Sequence, residues 1–264
     1  MTQKLHVKPN YDIIVLGSGW KSISMVDVHG SVTFTLWFCG CNLRCPFCHN
    51  WRLAVNDKNY CNKLDLRALY GDLESAKPFI DYLHVTGGEP LLQFQSLTKL
   101  FEIVKHNYGL KTSLNSNLTL YKPLKKIVGL NLVDHVATDL KVPFNTLIGY
   151  PKSIADKLWG FYKKSLELII DHGILLELRV PVPHRIYREG YDEALEIITM
   201  LSRYDNFYVV IQPLLGYPIT NPRDQDWCSE YCNPLREELY RVAEWFKSNG
   251  ILKVYVKEPV ENTI

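Results

Sequence analysis

"SVTFTLWFCGCNLRCPFCHN", residues 31–50, runs an apolar, β-branched and aromatic segment directly into a loop rich in cysteine. Residues 31–38 have the composition of a buried strand. Four of the chain's seven cysteines follow within ten positions, as Cys39, Cys41, Cys45 and Cys48. Disulfides, a zinc site and an iron–sulfur cluster are the three physical reasons for such crowding. Cys41, Cys45 and Cys48 have the spacing C-x3-C-x2-C. Three thiolates on one tight loop can each hold one iron of a [4Fe–4S] cube, leaving the fourth iron open. A structural zinc needs a fourth ligand, which His49 or Cys39 could supply.

Composition narrows the setting. The chain has 264 residues, 47% hydrophobic and 22% charged, with a net charge of +2. That is an ordinary globular make-up, with no bulk electrostatic case for nucleic acid or a membrane surface. The apolar run near the start is too short for a secretory signal, and no window approaches the roughly 18 to 20 apolar residues of a spanning helix. A cytoplasmic, reducing address is the expectation, where clustered cysteines bind metal more often than one another.

Outward from the quoted stretch, strand-like runs recur at 82–86, 110–115, 133–138, 175–182 and 207–212. Amphipathic segments lie between and after them at 64–77, 95–107, 120–129, 152–172, 190–203 and 234–249. Six strands alternating with helices predict an α/β fold with a parallel sheet and right-handed crossovers. Six units are too few to close an eight-fold barrel, so the expectation is a partial (βα)6, three-quarter TIM-like barrel in a single domain. Its core is read as roughly 19–215, with an N-terminal extension 1–18 and a C-terminal loop plus helix 216–264.

In such folds chemistry gathers at the carboxyl ends of the strands. There the sequence places the cysteine loop, "GGEP" (87–90), "NSN" (115–117), "DLK" (139–141), "PVPHR" (181–185) and "QPLLGYP" (212–218). Glycine-bearing, polar and titratable residues thus recur at one rim.

These motifs carry a resemblance. "GCNLRCPFCHN", with Phe47 before the third cysteine, resembles the cluster loop of the radical S-adenosylmethionine (SAM) superfamily. The upstream "GWKSISMVDVHG", with Ser24, Asp27 and Gly30, is similar to the start of its glycyl-radical-activating-enzyme group. That group includes the activating proteins of anaerobic ribonucleotide reductase and of pyruvate formate-lyase. The resemblance implies Cys41, Cys45 and Cys48 as cluster ligands, with Cys39 outside the set. It implies that Gly87, Gly88 and Glu89, or nearby carbonyls, receive the SAM amino group. Asp139 would serve ribose hydroxyls or polar groups on the substrate side, and Lys141 would pair with the methionyl carboxylate. Asn115 and Ser116 stand where an Asp-Thr pair is usual, and Leu118 where a glycine is usual.

The implied enzyme is an oxidoreductase that uses a [4Fe–4S] cluster to cleave SAM reductively to methionine and a 5′-deoxyadenosyl radical, which abstracts hydrogen. No side chain is obliged to act as general acid or base, so no catalytic residue is named. Implied partners are a flavodoxin- or ferredoxin-type electron donor and a glycyl-radical enzyme. A small molecule, peptide or RNA substrate is the alternative within the superfamily, and a zinc-stabilised binding module is the alternative from another class. Between Trp51 and Phe79 there is only Cys61, so a ferredoxin-like insert is absent.

Other features carry less. "GSG" at 17–19 lacks the third glycine of a dinucleotide loop. Cys228 and Cys232 could join Cys61 at a second metal, although packed or surface thiols are the plainer reading. His184 reads as a loop residue. Strand alternation leaves open whether Arg179 faces inward or outward, and the aromatic loop 216–231 reads as a cover over the rim.

Overall fold

A computed structural model describes residues 13–258. In chain order its elements begin with β1 (Leu16–Ser24), β2 (Thr33–Phe38), α1 (Trp51–Ala54), β3 (Asn62–Lys63), α2 (Leu66–Ala76), β4 (Tyr82–Gly87) and α3 (Phe94–Ile103). There follow β5 (Lys111–Asn115), α4 (Tyr121–Gly129), β6 (His135–Asp139), α5 (Phe144–Ile148), α6 (Lys152–Asp171) and β7 (Leu175–Val182). The chain continues through α7 (Tyr191–Leu201), β8 (Phe207–Pro213), α8 (Gln225–Tyr231), α9 (Arg236–Ser248) and β9 (Val254–Val256).

The six expected strands are β2, β4, β5, β6, β7 and β8, adjacent in that order and parallel throughout. Three further strands extend this set to a nine-stranded sheet of order β3-β1-β2-β4-β5-β6-β7-β8-β9. β9 is a parallel addition, whereas β1 and β3 are antiparallel. β1 begins inside the stretch expected to be an extension. Its glycines conceal it from a propensity reading: Gly17 sits where a Cβ would meet the Trp37 carbonyl oxygen at 2.5 Å.

Helix formation follows local rules. In α2, Leu66, Leu69, Tyr70, Leu73 and Ala76 recur at helical spacing and are buried. Asp65 caps this helix, its carboxylate accepting from the Arg67 and Ala68 amides. Along the strands, outward residues such as Phe34, Leu36, Leu83, Val85 and Leu178 are apolar and sit under the helices. The alternate residues face the bore and are mostly polar, with Trp37, Ala137 and Val210 among the exceptions. This split gives each strand two buried faces of opposite chemistry, which is why alternation is visible in an otherwise buried parallel sheet.

The lower bore is filled by one hydrogen-bonded layer. His84 Nδ1 and His135 Nδ1 each lie 2.7 Å from the Ser113 hydroxyl, on neighbouring strands in register. Tyr208 donates to Glu177 (2.7 Å), and Glu177 accepts from Arg179 Nε (2.6 Å) and from the His29 amide (3.0 Å). This layer ties β7 to the loop between β1 and β2. Burial holds both imidazoles neutral, with the His135 pKa pushed down to about 4 and that of His84 well below the usual value.

These shifts set the acid side of the stability profile. Both histidines are neutral in the fold but gain a proton in the unfolded chain below pH ~6.5. Stability is therefore complete above that pH and falls as pH drops from ~6.5 towards the folded pKa. Urea melts should lose on the order of 1 kcal/mol per histidine between pH 7.5 and 5.5. His135→Gln should be less stable at pH 7.5 and show a shallower loss. An unchanged slope in that variant would contradict the assignment.

Candidate active site

The loop after β2 is held by five other segments. Gly40 and Cys41 donate to the carbonyls of Leu53 (2.8 Å) and Ala54 (3.1 Å). Arg44 donates to the Ile148 carbonyl (3.1 Å), and Tyr150 Oη donates to that of Asn42 (2.9 Å). Glu89 donates its amide to the Gly40 carbonyl (2.7 Å). Asn117 reaches Asn42 from the end of β5 (2.9 Å). From the C-terminal side, the Arg223 and Asp224 amides donate to the carbonyls of Cys48 (3.1 Å) and Pro46 (2.9 Å). The loop at 214–224 is thus a clamp on the cysteine loop itself. Trp227 of α8 lies 6.3 Å from Phe47 between ring centroids.

Cys41, Cys45 and Cys48 are free thiols lining one cavity of about 240 Å³. Phe47, Gly87, Gly88, Asn115, Ser116, Asp139 and Lys141 line the same cavity, so ten of the eleven site residues expected from sequence converge there. Burial pushes the Cys41 thiol up to about 11, Cys45 to about 12, and Cys48 above its usual value. Such thiols are neutral at pH 7, and a bound metal is what would convert them to thiolates.

Glu89 is the exception: of the acceptors expected there, its side chain does not line the cavity. It is fully buried (0% exposed). The carboxylate accepts from the Leu91 amide (3.0 Å), the Ser116 hydroxyl (2.9 Å) and the Asn117 amide (2.7 Å). It joins the end of β4 to the end of β5. Gly87 and Gly88 also have a structural reason. A Cβ would meet the Phe38 oxygen at 2.3 Å from Gly87, and the Gly40 oxygen at 2.0 Å from Gly88. Ser116 reaches the wall while its hydroxyl serves Glu89. Asn115 Nδ2 donates to Thr86 Oγ1 (2.9 Å). Leu118, where glycine is usual, keeps the left-handed backbone (φ +57°) and buries its side chain in the core.

On the opposite wall Lys141 Nζ donates to Asp139 at 2.9 Å. Burial, the largest single influence, disfavours charge on both; the partner together with neighbouring charges, Arg179 for Asp139 and the cysteines for Lys141, outweighs it and holds Lys141 above and Asp139 below their ordinary values. Arg179 faces inward, resolving the strand ambiguity, and shares the deep end of the cavity with Asp27, Trp37 and Gln212. Trp37 and Gln212 escaped the motif reading because no short pattern joins them; the register of β2, β7 and β8 brings them beside Arg179, and the β1–β2 loop brings Asp27. His184 lies elsewhere, paired with Glu238 at 2.6 Å where α9 begins.

The remaining cysteines correct the metal-versus-disulfide reading. Cys39 is bonded to Cys61, and Cys228 to Cys232, in two separate apolar clusters. Cys61, Cys228 and Cys232 therefore form no common site, and Cys39 is unavailable as a fourth ligand. Among the described residues, no three His, Cys, Asp or Glu groups converge on a single ion. The three loop thiols instead surround a shared space, the donor set a cube with one open corner requires.

The family model described as the radical SAM superfamily matches residues 36–201. The chain belongs to the radical SAM superfamily. As a radical SAM enzyme it uses a [4Fe–4S] cluster and SAM, so the zinc-module alternative falls. A putative glycyl-radical enzyme activating enzyme from Methanocaldococcus jannaschii is 23% identical over 199 residues, 75% of this chain and 79% of that one. The pyruvate formate-lyase-activating enzyme of Staphylococcus aureus (strain USA300) is 33% identical over 104 residues, 37% of this chain and 39% of that enzyme. A radical SAM methyltransferase structure from Sphaerobacter thermophilus aligns with TM-score 0.59 at 14% identity, covering 86% of this chain and 68% of that one. A mutant spore photoproduct lyase aligns with TM-score 0.56 at 14% identity, covering 83% of this chain and 74% of that one. At these identities the two structures show a shared fold. Among the described residues no helix is long and apolar enough to cross a membrane.

The Cys39–Cys61 bond closes a ring, 22 residues apart in sequence, around all three free cysteines of this radical SAM loop. A ring of that size stabilises by about 3 kcal/mol through the unfolded chain. Cys61→Ser should lower the thermal midpoint by several degrees, and an equal midpoint with and without a strong reductant would oppose the bond.

Proposed function

We propose that Cys41, Cys45 and Cys48 hold three irons of the cluster and that this cavity orients SAM against the fourth. The observation that carries the reading is the convergence of these thiols, the Gly87–Gly88 backbone and the Asp139–Lys141 pair on one enclosed space. When bound, the cluster and SAM supply reductive carbon–sulfur cleavage to methionine and a 5′-deoxyadenosyl radical. Lys141 would pair with the methionyl carboxylate, a role supported by its burial (8% exposed) on the cavity wall and its ion pair with Asp139. Backbone carbonyls beside Gly87 and Gly88 take the amino group. Asn115, Ser116 and Asp139 offer polar contacts to the nucleoside, and Phe47, backed by Trp227, forms part of the wall.

The hydrogen donor is read as a glycine of a glycyl-radical partner enzyme. Support comes from the M. jannaschii relative named as a putative activating enzyme of that kind, and from Ser24, Asp27 and Gly30 ahead of the cluster loop. The deep end, with Asp27, Arg179 and Gln212, balances donors against acceptors and suits a neutral backbone segment better than a charged one. An external flavodoxin- or ferredoxin-type protein would deliver the electron, and the enzyme would work in the cytoplasm as one core domain.

Anaerobically reconstituted protein, reduced and given SAM, should release 5′-deoxyadenosine, and Cys45→Ala should abolish both product and cluster iron. Turnover unaffected by that change would overturn the ligand assignment. Lys141→Gln should weaken SAM binding about tenfold or more, the loss expected when a buried charge pair is broken, with cluster content preserved. An unchanged KM for SAM would remove Lys141 from its role. Addition of a partner with a C-terminal glycyl-radical loop should yield a glycine-centred radical signal by electron paramagnetic resonance (EPR).

A further inference from the structure

Asn117 lies between two positions the motif reading weighed and was itself passed over, yet it is the residue that ties β5's end to the cysteine loop. Its Nδ2 lies 2.9 Å from Asn42 Oδ1 and 3.9 Å from Cys41 Sγ. Its Oδ1 accepts from the Thr119 amide (3.0 Å) and from the Thr119 hydroxyl (2.6 Å). A backbone N–H can only donate, so the oxygen end of the carboxamide must face Thr119. The NH2 end is thereby committed to the loop, one N–H toward Asn42 and the other toward the sulfur. Asn42 Nδ2 closes the ring by donating to Thr119 Oγ1 (2.8 Å).

The post beneath this amide is rigid. The Asn117 backbone N–H donates to the fully buried Glu89 carboxylate, and the next residue is Leu118, anchored in the core. Cys41 Sγ also accepts the Leu43 amide at 3.4 Å.

Resting on the reading of Cys41 as a cluster ligand, we propose that Asn117 is a positioning residue that donates an N–H···S bond to Cys41 and so raises the cluster's reduction potential. A donor aimed at a ligand sulfur stabilises the more negatively charged, reduced cluster more than the oxidised one. The difference is larger where little solvent reaches the sulfur, because fewer water dipoles can then replace a lost donor. The locked orientation means the bond needs no rearrangement when the electron arrives.

The test is an EPR-monitored redox titration of reconstituted protein. Asn117→Leu keeps the side chain's size and removes both donors; Asn117→Asp puts a carboxylate oxygen against the sulfur. At a fixed potential the reduced-to-oxidised ratio should fall about tenfold in Asn117→Leu, about 59 mV for a one-electron couple, and further in Asn117→Asp. Midpoints equal to wild type in variants with unchanged iron and sulfide would overturn the proposal. If Asn117→Asp does not retain its cluster, Asn117→Leu decides alone. Cys41→Ala separates the two readings. Full iron, sulfide and wild-type EPR in Cys41→Ala would defeat the ligand assignment and the proposal with it. Loss of the cluster there, with an unshifted Asn117→Leu midpoint, would defeat only the proposal.

Discussion

The site depends on one approach of backbone to backbone. The Gly88 amide donates to the Phe38 carbonyl and the Glu89 amide to that of Gly40, at 2.8 and 2.7 Å. Those bonds bring the end of β4 so close to the chain leaving β2 that no side chain fits at 87 or 88. From that seam the cysteine loop starts in a defined direction, and the same Glu89 extends the seam to β5 through its carboxylate. A buried carboxylate satisfied by three donors is costly to assemble and hard to perturb once made, which suits a joint that must not drift.

Around this seam the barrel separates two chemistries. Outward faces of the strands are apolar and meet the helices; the bore is lined mainly by polar residues. Its lower layer is closed on itself, with His84, Ser113, His135, Tyr208, Glu177 and Arg179 satisfying one another. Its upper layer, one residue from each of β2, β4, β5, β6, β7 and β8, lines the cavity as Trp37, Thr86, Asn115, Asp139, Arg179 and Gln212. Arg179 belongs to both layers, so the floor that holds the fold together also sets the deep wall of the site.

The C-terminal segment is joined directly to the cysteine loop. Residues 214–224 hydrogen-bond to the carbonyls of Pro46 and Cys48 and so define the outer boundary of the cysteine loop. The Cys228–Cys232 bond is buried beneath this clamp with Leu147 and Leu214. Its contribution is to the shape of the loop, since both sulfurs face apolar side chains.

By itself the sequence determined the six parallel strands, the helices between them and the three thiols that share a cavity. These are properties of local period and spacing: alternation every second residue, apolar recurrence every third and fourth, and C-x3-C-x2-C on a single turn. Tertiary structure alone decided the rest. It added β1, β3 and β9, whose short or glycine-rich strands gain their hydrogen bonds only from neighbours. It turned Glu89 away from the cavity, joined Cys39 to Cys61, pointed Arg179 inward and locked the Asn117 amide. Those outcomes depend on strand register or on partners distant in the chain, 22 residues away for Cys39 and 75 for the bond from Asn117 to Asn42, although Thr119, two residues on, also orients the Asn117 amide. A side chain's type states what it can donate or accept, and only the fold states which partner stands within reach.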